Sequence, residues 1–198
     1  MHLLARIALF IALALSATVT VALGQSERTY VSNTGTDAGI CGPGAPCASF
    51  QYALSQTESK GEINCLNTGD FGSISIDKSV TIDCTGAIGT MTPSTIGVGI
   101  TAPGRVVHLR GLSINCGPSS GIFGISLPVY VTLSLDDVAI RNCRQQGILV
   151  DHSIGTTAIS IGQTILVGAQ RRNKNSKCWK RELIDWQHKD IEFDRQRC

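Results

Sequence analysis

A phrase that recurs down the middle of the chain limits its architecture more than any other feature. Ile63-Asn64-Cys65, Ile82-Asp83-Cys84 and Ile114-Asn115-Cys116 are followed by a lengthened form, Ile140-Arg141-Asn142-Cys143, at cysteine intervals of 19, 32 and 27 residues. A repeat of roughly 20 to 50 residues marks a solenoid, in which each unit has an apolar face that only its neighbour can cover. Around the phrase, apolar residues alternate in short runs: Ile74/Ile76, Val80/Ile82/Cys84, Val107/Leu109, Leu112/Ile114/Cys116, Val131/Leu133/Leu135 and Ile159/Ile161. Period-two runs that end in Gly, Asn, Asp or Ser predict short strands. The chain has no Asn-Gly or Asp-Gly hairpin signal, which favours coils over a sandwich of hairpins. The expectation is an all-β chain whose residues 61–170 form a short single-stranded parallel β-helix. Its 198 residues, 16% of them charged and 21 of them Gly, suit one turn-rich domain able to bury roughly 70% of its extended surface.

Because alternate side chains of a strand share a face, Cys65, Cys84 and Cys116 have the inward phase of Ile63, Ile82 and Ile114 and can stack as a ladder. Neighbouring strands lie about 4.8 Å apart, within the window for a disulfide between coils. Buried free thiols packed as small apolar groups are the alternative. Arg141 reads as one inserted residue, a bulge that shifts Asn142 and Cys143 in phase. The pairs Asn115-Cys116…Gly121-Ile122 and Asn142-Cys143…Gly147-Ile148 suggest corners built on left-handed Asn or Gly. Ahead of the coils, residues 25–60 read as a strand at Arg28–Ser32, a loop that a Cys41–Cys47 bridge can close, and a helix over Ala48–Glu58. With Phe50, Ala53, Leu54 and Thr57 turned to the coils, this helix would be an N-terminal cap that shields the first rung.

Residues 1–24 read as a signal peptide: a basic start, the apolar run Ile7–Leu15, and small residues at Ala22-Leu23-Gly24. An uncleaved anchor is the other reading, since Ile7–Gly24 holds 18 uncharged residues. Export makes the chain secreted or periplasmic, off the membrane once cleaved, and its even set of eight cysteines a disulfide source. Without CxxC or paired His, no metal site is expected. Residues 171–198 form an atypical tail with nine Lys/Arg against five Asp/Glu, whereas residues 25–170 carry seven against ten. The tail is either a C-terminal cap or unrelated sequence; with no basic stripe on the body, no nucleic-acid partner is expected. An uncovered last rung would leave a row of backbone donors and acceptors open to association.

Arg28-Thr-Tyr-Val-Ser, Cys41-Gly-Pro-Gly-Ala-Pro-Cys47, Gly61-Glu-Ile-Asn-Cys-Leu66 and Lys78-Ser-Val-Thr-Ile-Asp-Cys84 together resemble bacterial right-handed β-helix repeat proteins of the pectin-lyase-like superfamily. The resemblance covers Arg28 to about Gly168. It implies a right-handed coil; the superfamily includes polysaccharide lyases, hydrolases, epimerases and noncatalytic binding or adhesion proteins, so function rests on the site. A lyase or epimerase acting on uronate polymers must neutralise a carboxylate and abstract the proton beside it, using cations or Ca2+ and a base. The residues nearest that need are Asp136, Asp137, Asp151, His152 and Arg110. Asp151-His152 lacks the Pro of the Asp-Pro-His motif of such enzymes. Asp136-Asp137 resembles the Asp-Asp element of polygalacturonases without their Gly-His-Gly and Arg-Ile-Lys elements, and adjacent Asp residues on a strand point to opposite faces. His108 alternates with Val107 and Leu109 and belongs on an outer face. The leading expectation is an exported noncatalytic module, either glycan-binding along its extended side or envelope-associated, that takes no cofactor, Ca2+ entering only with the lyase reading. A truncated family member without activity of its own is the third reading.

Overall fold

A computed structural model describes residues 24–117, 121–168 and 189–192. The signal-peptide reading of residues 1–24 and most of the tail, with Cys178 and Cys198, lie outside these residues apart from Gly24 and Lys189–Glu192. The strands are β1 (Ser26–Val31), β2 (Thr57–Cys65), β3 (Gly69–Asp70), β4 (Ile74–Ile76), β5 (Val80–Asp83), β6 (Gly89–Met91) and β7 (Ile96–Ile100). They continue with β8 (Arg105–Asn115), β9 (Phe123–Leu127), β10 (Val131–Cys143), β11 (Gln146–Val150), β12 (Ala158–Ile161), β13 (Thr164–Gly168) and β14 (Lys189–Glu192). One helix, α1 (Phe50–Gln56), precedes β2.

All pairings except β12 with β14 are parallel, so the chain is a parallel β-solenoid. The strands stack on three faces. Face one runs β1-β2-β5-β8-β10-β12-β14, and face three runs β4-β7-β9-β11, which spans about three turns. Face two consists of β3 and β6, the second halves of β8 and β10, and β13. The long strands β8 and β10 serve two faces because each bends once. Gly111 (φ 63°) and Asp137 (φ 51°) lie between the halves, in the left-handed region that turns the chain through a corner.

Register explains the uneven cysteine intervals. Ile63 pairs with Ile82, and Ile82 with Leu109, all on face one. Ile114 pairs instead with Met91 and Ile140, on face two. The recurring phrase therefore sits at two different corners, and the interval of 32 is one turn plus one face. The cysteines consequently form two rungs rather than one ladder. Cys65–Cys84 closes at the first corner and Cys116–Cys143 at the second, each with Cα atoms 4.7 Å apart. The extra residue before Cys143 is Asn142, not Arg141. Arg141 keeps register with Asn115 and Val167, whereas Asn142 takes φ 59°, so Cys143 returns to the interior, fully buried.

The glycines of the second sequence alignment also act differently. Gly97, Gly124 and Gly147 are in register, since their neighbours Val98, Ile125 and Ile148 pair in turn. Gly97 and Gly124 have no room for a side chain where faces two and three converge: a Cβ on Gly124 would stand 2.4 Å from Ile140 Cγ2 and 2.6 Å from the Gly147 carbonyl, whereas one on Gly147 would meet nothing closer than 3.5 Å.

At the N-terminal end, α1 is shorter than the sequence suggests. Asp37 accepts hydrogen bonds from the Ala48 and Ser49 amides (2.8 and 2.9 Å) and from the Ser49 hydroxyl (2.7 Å), and Ser49 caps the Tyr52 amide. The helix stops at Gln56 because Thr57 adopts extended backbone, its hydroxyl donating to the Ala53 carbonyl and lying 2.8 Å from Thr29 Oγ1. Glu58 is thus strand. Lys78 Nζ donates to the Leu54 and Thr57 carbonyls at the helix end (3.2 and 2.9 Å). Phe50, Ala53, Leu54 and Thr57 are all buried, and Phe50 meets Phe71 edge to face at 5.1 Å. The Cys41–Cys47 bridge holds a loop along β1, where the Tyr30 amide donates to the Cys41 carbonyl (2.8 Å) and the Ser32 amide to the Cys47 carbonyl (2.9 Å). Three disulfides within one chain point to an oxidising, non-cytoplasmic environment. No helix among the described residues is long and apolar enough to cross a membrane.

Candidate functional site

Face one presents its outward side chains as two polar columns along the stack. Arg28, Glu62, Thr81, His108, Ser134 and Ser160 follow one line of register, and Tyr30, Asn64, Asp83, Arg110 and Asp136 the next. His108 lies outward, in phase with its neighbours, and partly exposed. Since strands repeat every 4.8 Å or so, the first column runs about 24 Å and the second about 19 Å. Both arginines are engaged within this surface: Arg28 Nη2 lies 3.7 Å from Glu62 Oε2, and Arg110 Nη1 lies 3.4 Å from Asp83 Oδ2. Burial pushes the Asp83 carboxyl up. Hydrogen bonds from the Thr85 hydroxyl and amide and the Arg110 guanidinium outweigh that and hold it below the usual carboxylate value. Asn64, next to Asp83 in the column, has its Nδ2 buried without a partner.

Asp136 is exposed at the end of its column, opposite Arg110. Asp137 is exposed as well, against the expectation of opposite faces, because its left-handed backbone turns the corner there. Asp151 and His152 follow β11 in the loop that leads to β12. Together with Pro103, Tyr130, Ser153 and Ile154 they line an open groove of about 570 Å³. His152 Nε2 lies 2.6 Å from Thr157 Oγ1, which also accepts the Val131 amide (3.3 Å); His152 Nδ1 is buried and unpartnered.

The five residues singled out for uronate chemistry therefore divide. His152 is tied through Thr157 to Val131, the first residue of β10, whereas Asp136 lies five residues further along that extended strand. At about 3.3 Å per residue the two groups are roughly 16 Å apart, and Arg110 is bound to Asp83 rather than to either. Among the described residues no three His, Cys, Asp or Glu side chains gather in a group able to hold a metal ion. Sequence reasoning missed Tyr30, Asn64 and Asp83 as surface groups and Tyr130 as a groove wall. The signal for the first three was present in the alternation of β1, β2 and β5, but only register places them in one column. Comparison with protein-family models, with curated proteins and with solved structures finds no match to this chain.

Proposed function

We propose that this chain is an exported right-handed β-helix of the pectin-lyase-like kind, capped by α1, whose face one binds polysaccharide without transforming it. The observation that carries the reading is the pair of outward polar columns on one parallel sheet, with Tyr30 as an aromatic surface at the start of the second column. An extended sugar chain lying along the stack would meet a hydrogen-bonding group at each strand. The columns hold two arginines, each engaged by a carboxylate, and Asp136 as a surplus anion. That balance suits a neutral glycan and offers no free cation to a polyuronate. The separation of Asp136 and Asp137 from Asp151 and His152 supports binding over lyase or epimerase chemistry.

The test is affinity electrophoresis and calorimetry of the chain from Gln25 onward against neutral and uronate polysaccharides, with and without Ca2+, while following formation of unsaturated uronates. Binding to a neutral polysaccharide, weakened about tenfold in Tyr30→Ala by loss of one aromatic contact, with no product formed, is the expected result. Turnover of a polyuronate that Asp151→Ala and His152→Ala abolish would replace this reading with the lyase or epimerase one.

A further inference from the structure

The corner between faces three and one holds the open groove, which the polar columns do not use. Three successive turns build it: Pro103 comes from the first, Pro128 and Tyr130 from the second, and Asp151, Ser153 and Ile154 from the third. The aromatic wall is held in place by its neighbours. The Gly104 amide donates to the Tyr130 carbonyl (2.8 Å), and the Tyr130 ring meets a glycine of each adjoining turn, Gly104 and Gly155, both in the left-handed region. A Cβ on Gly104 would stand 3.6 Å from Tyr130 Cε2, and one on Gly155 would stand 2.5 Å from Tyr130 Cγ and Cδ1, so a side chain at residue 155 would displace the ring. Tyr130 is nevertheless 39% exposed and Ile154 80% exposed. The polar side of the groove is the Asp151 carboxylate, which makes no ion pair among the described residues, and the Ser153 hydroxyl; among those residues no Lys or Arg lines it. Its loop is tied to face one, since His152 meets Thr157 and Thr157 accepts the Val131 amide at the start of β10.

We infer that this groove receives a neutral sugar branch of the polysaccharide whose main chain lies along face one, an inference that rests on the binding function proposed above. A pyranose has one apolar face of C–H groups and a rim of hydroxyls. The first packs on an aromatic ring, and the second donates to a carboxylate and exchanges hydrogen bonds with a hydroxyl, the groups that Tyr130, Asp151 and Ser153 supply. A uronate or sulfated sugar would meet the Asp151 carboxylate with no lining cation to offset it. Position selects a branch over the main chain. Tyr130 directly precedes β10, and the first polar column crosses β10 at Ser134, four residues on. At about 3.3 Å per residue the groove lies roughly 13 Å from that column, measured across the stack, where a main chain running along the stack does not reach. The floor between them is uncharged: Val106 and Thr132, paired in register, are both exposed there. A branch leaving the main chain against the strand direction crosses this floor and ends at Tyr130.

The experiment is calorimetry of the chain from Gln25 onward against galactosyl-mannan, arabinosyl-xylan and glucosyl-glucan oligosaccharides, each paired with its own unbranched backbone of the same length. At least one branched oligosaccharide should bind about tenfold tighter than its backbone, the worth of one aromatic contact. Tyr130→Ala should remove that difference. In case that change disturbs the loop packing, Ile154→Asp, at a side chain exposed enough to leave folding intact, should reduce the difference in the same direction. Tyr30→Ala, on face one, should weaken both members of a pair alike, and Ile88→Asp, an exposed apolar site elsewhere, should change neither. Equal binding of branched and unbranched members, or a preference for branches that survives both groove variants, overturns this inference while polysaccharide binding on face one stands. Absence of binding to every member of the panel overturns that binding function and this inference together.

Discussion

The two ends of the solenoid meet the same problem and treat it differently. Any rung without a neighbour leaves backbone hydrogen-bonding groups and one layer of core side chains uncovered. At the N-terminal end, Phe50, Ala53 and Leu54 of a two-turn helix lie against the first turn, and a disulfide-closed loop takes the amides of β1. Phe50 and Phe71 are thereby as buried as the side chains of the middle turns. At the C-terminal end, among the described residues, a single antiparallel strand pairs on one face of three, and Leu166 and Val150 are 42% and 40% exposed. Burial at a solenoid end is thus set face by face, by what covers each stack, and not by the position of a residue in the chain.

The contrast predicts unequal costs for similar substitutions. The largest difference concerns the core: Phe50→Ala removes a wholly enclosed ring and is expected to cost about 3–5 kcal/mol, whereas Leu166→Ala costs under about 1 kcal/mol. Urea unfolding of the two variants measures this directly, and equal losses would erase the distinction between the ends. Next come the glycines. A Cβ on Gly35 would stand 2.3 Å from the Cys47 carbonyl oxygen, a backbone atom in the bridged loop, while one on Gly147 meets nothing closer than Ile140 Cγ2 at 3.5 Å. Gly35→Ala should therefore cost about 1–3 kcal/mol and Gly147→Ala less than about 0.5 kcal/mol, read from thermal unfolding.

The smallest effect comes from the surface and belongs to the N-terminal half. The Asp83 carboxyl is held below its usual value, so its contribution to stability is present above the unfolded-state pKa and is lost as pH falls through the lower folded value. Because the pair with Arg110 is solvent-screened, roughly 0.5 kcal/mol is at stake. Between about pH 6 and pH 2 the parent should lose that much relative to Asp83→Asn. Parallel pH curves for the two proteins would remove the ion pair from the account.

Strand phase was legible in the sequence because alternation is a local signal: Ile63, Ile82, Val107, Leu109, Ile114, Leu133 and Ile159 all lie inward as their spacing indicates. The Cys41–Cys47 bridge was legible for the same reason, five intervening residues, four of them Gly or Pro, leaving few other ways to close the loop. What a repeated phrase cannot disclose is the face it belongs to. Ile82-Asp83-Cys84 and Ile114-Asn115-Cys116 have one pattern and two places, because only the bend at Gly111 separates them. The bulge moved from Arg141 to Asn142 because Asn accepts the left-handed backbone more readily. The site was less legible still. Asp136 and His152 lie sixteen residues apart in sequence, but whether two loops and strands of a solenoid come together depends on how far along a strand each begins, which composition does not encode.

The placement of the bridges has a mechanical consequence. Cys65–Cys84 fastens β2 to the turn after β5, and Cys116–Cys143 fastens β8 to β10. No bridge crosses from β5, β6 or β7 to the strands that follow, so that boundary is held by backbone pairing and side-chain packing alone. Pulled along its axis, the stack would open at an unbridged boundary, this one or the one between β10 and the pair β12 and β13, before either riveted pair of turns parts.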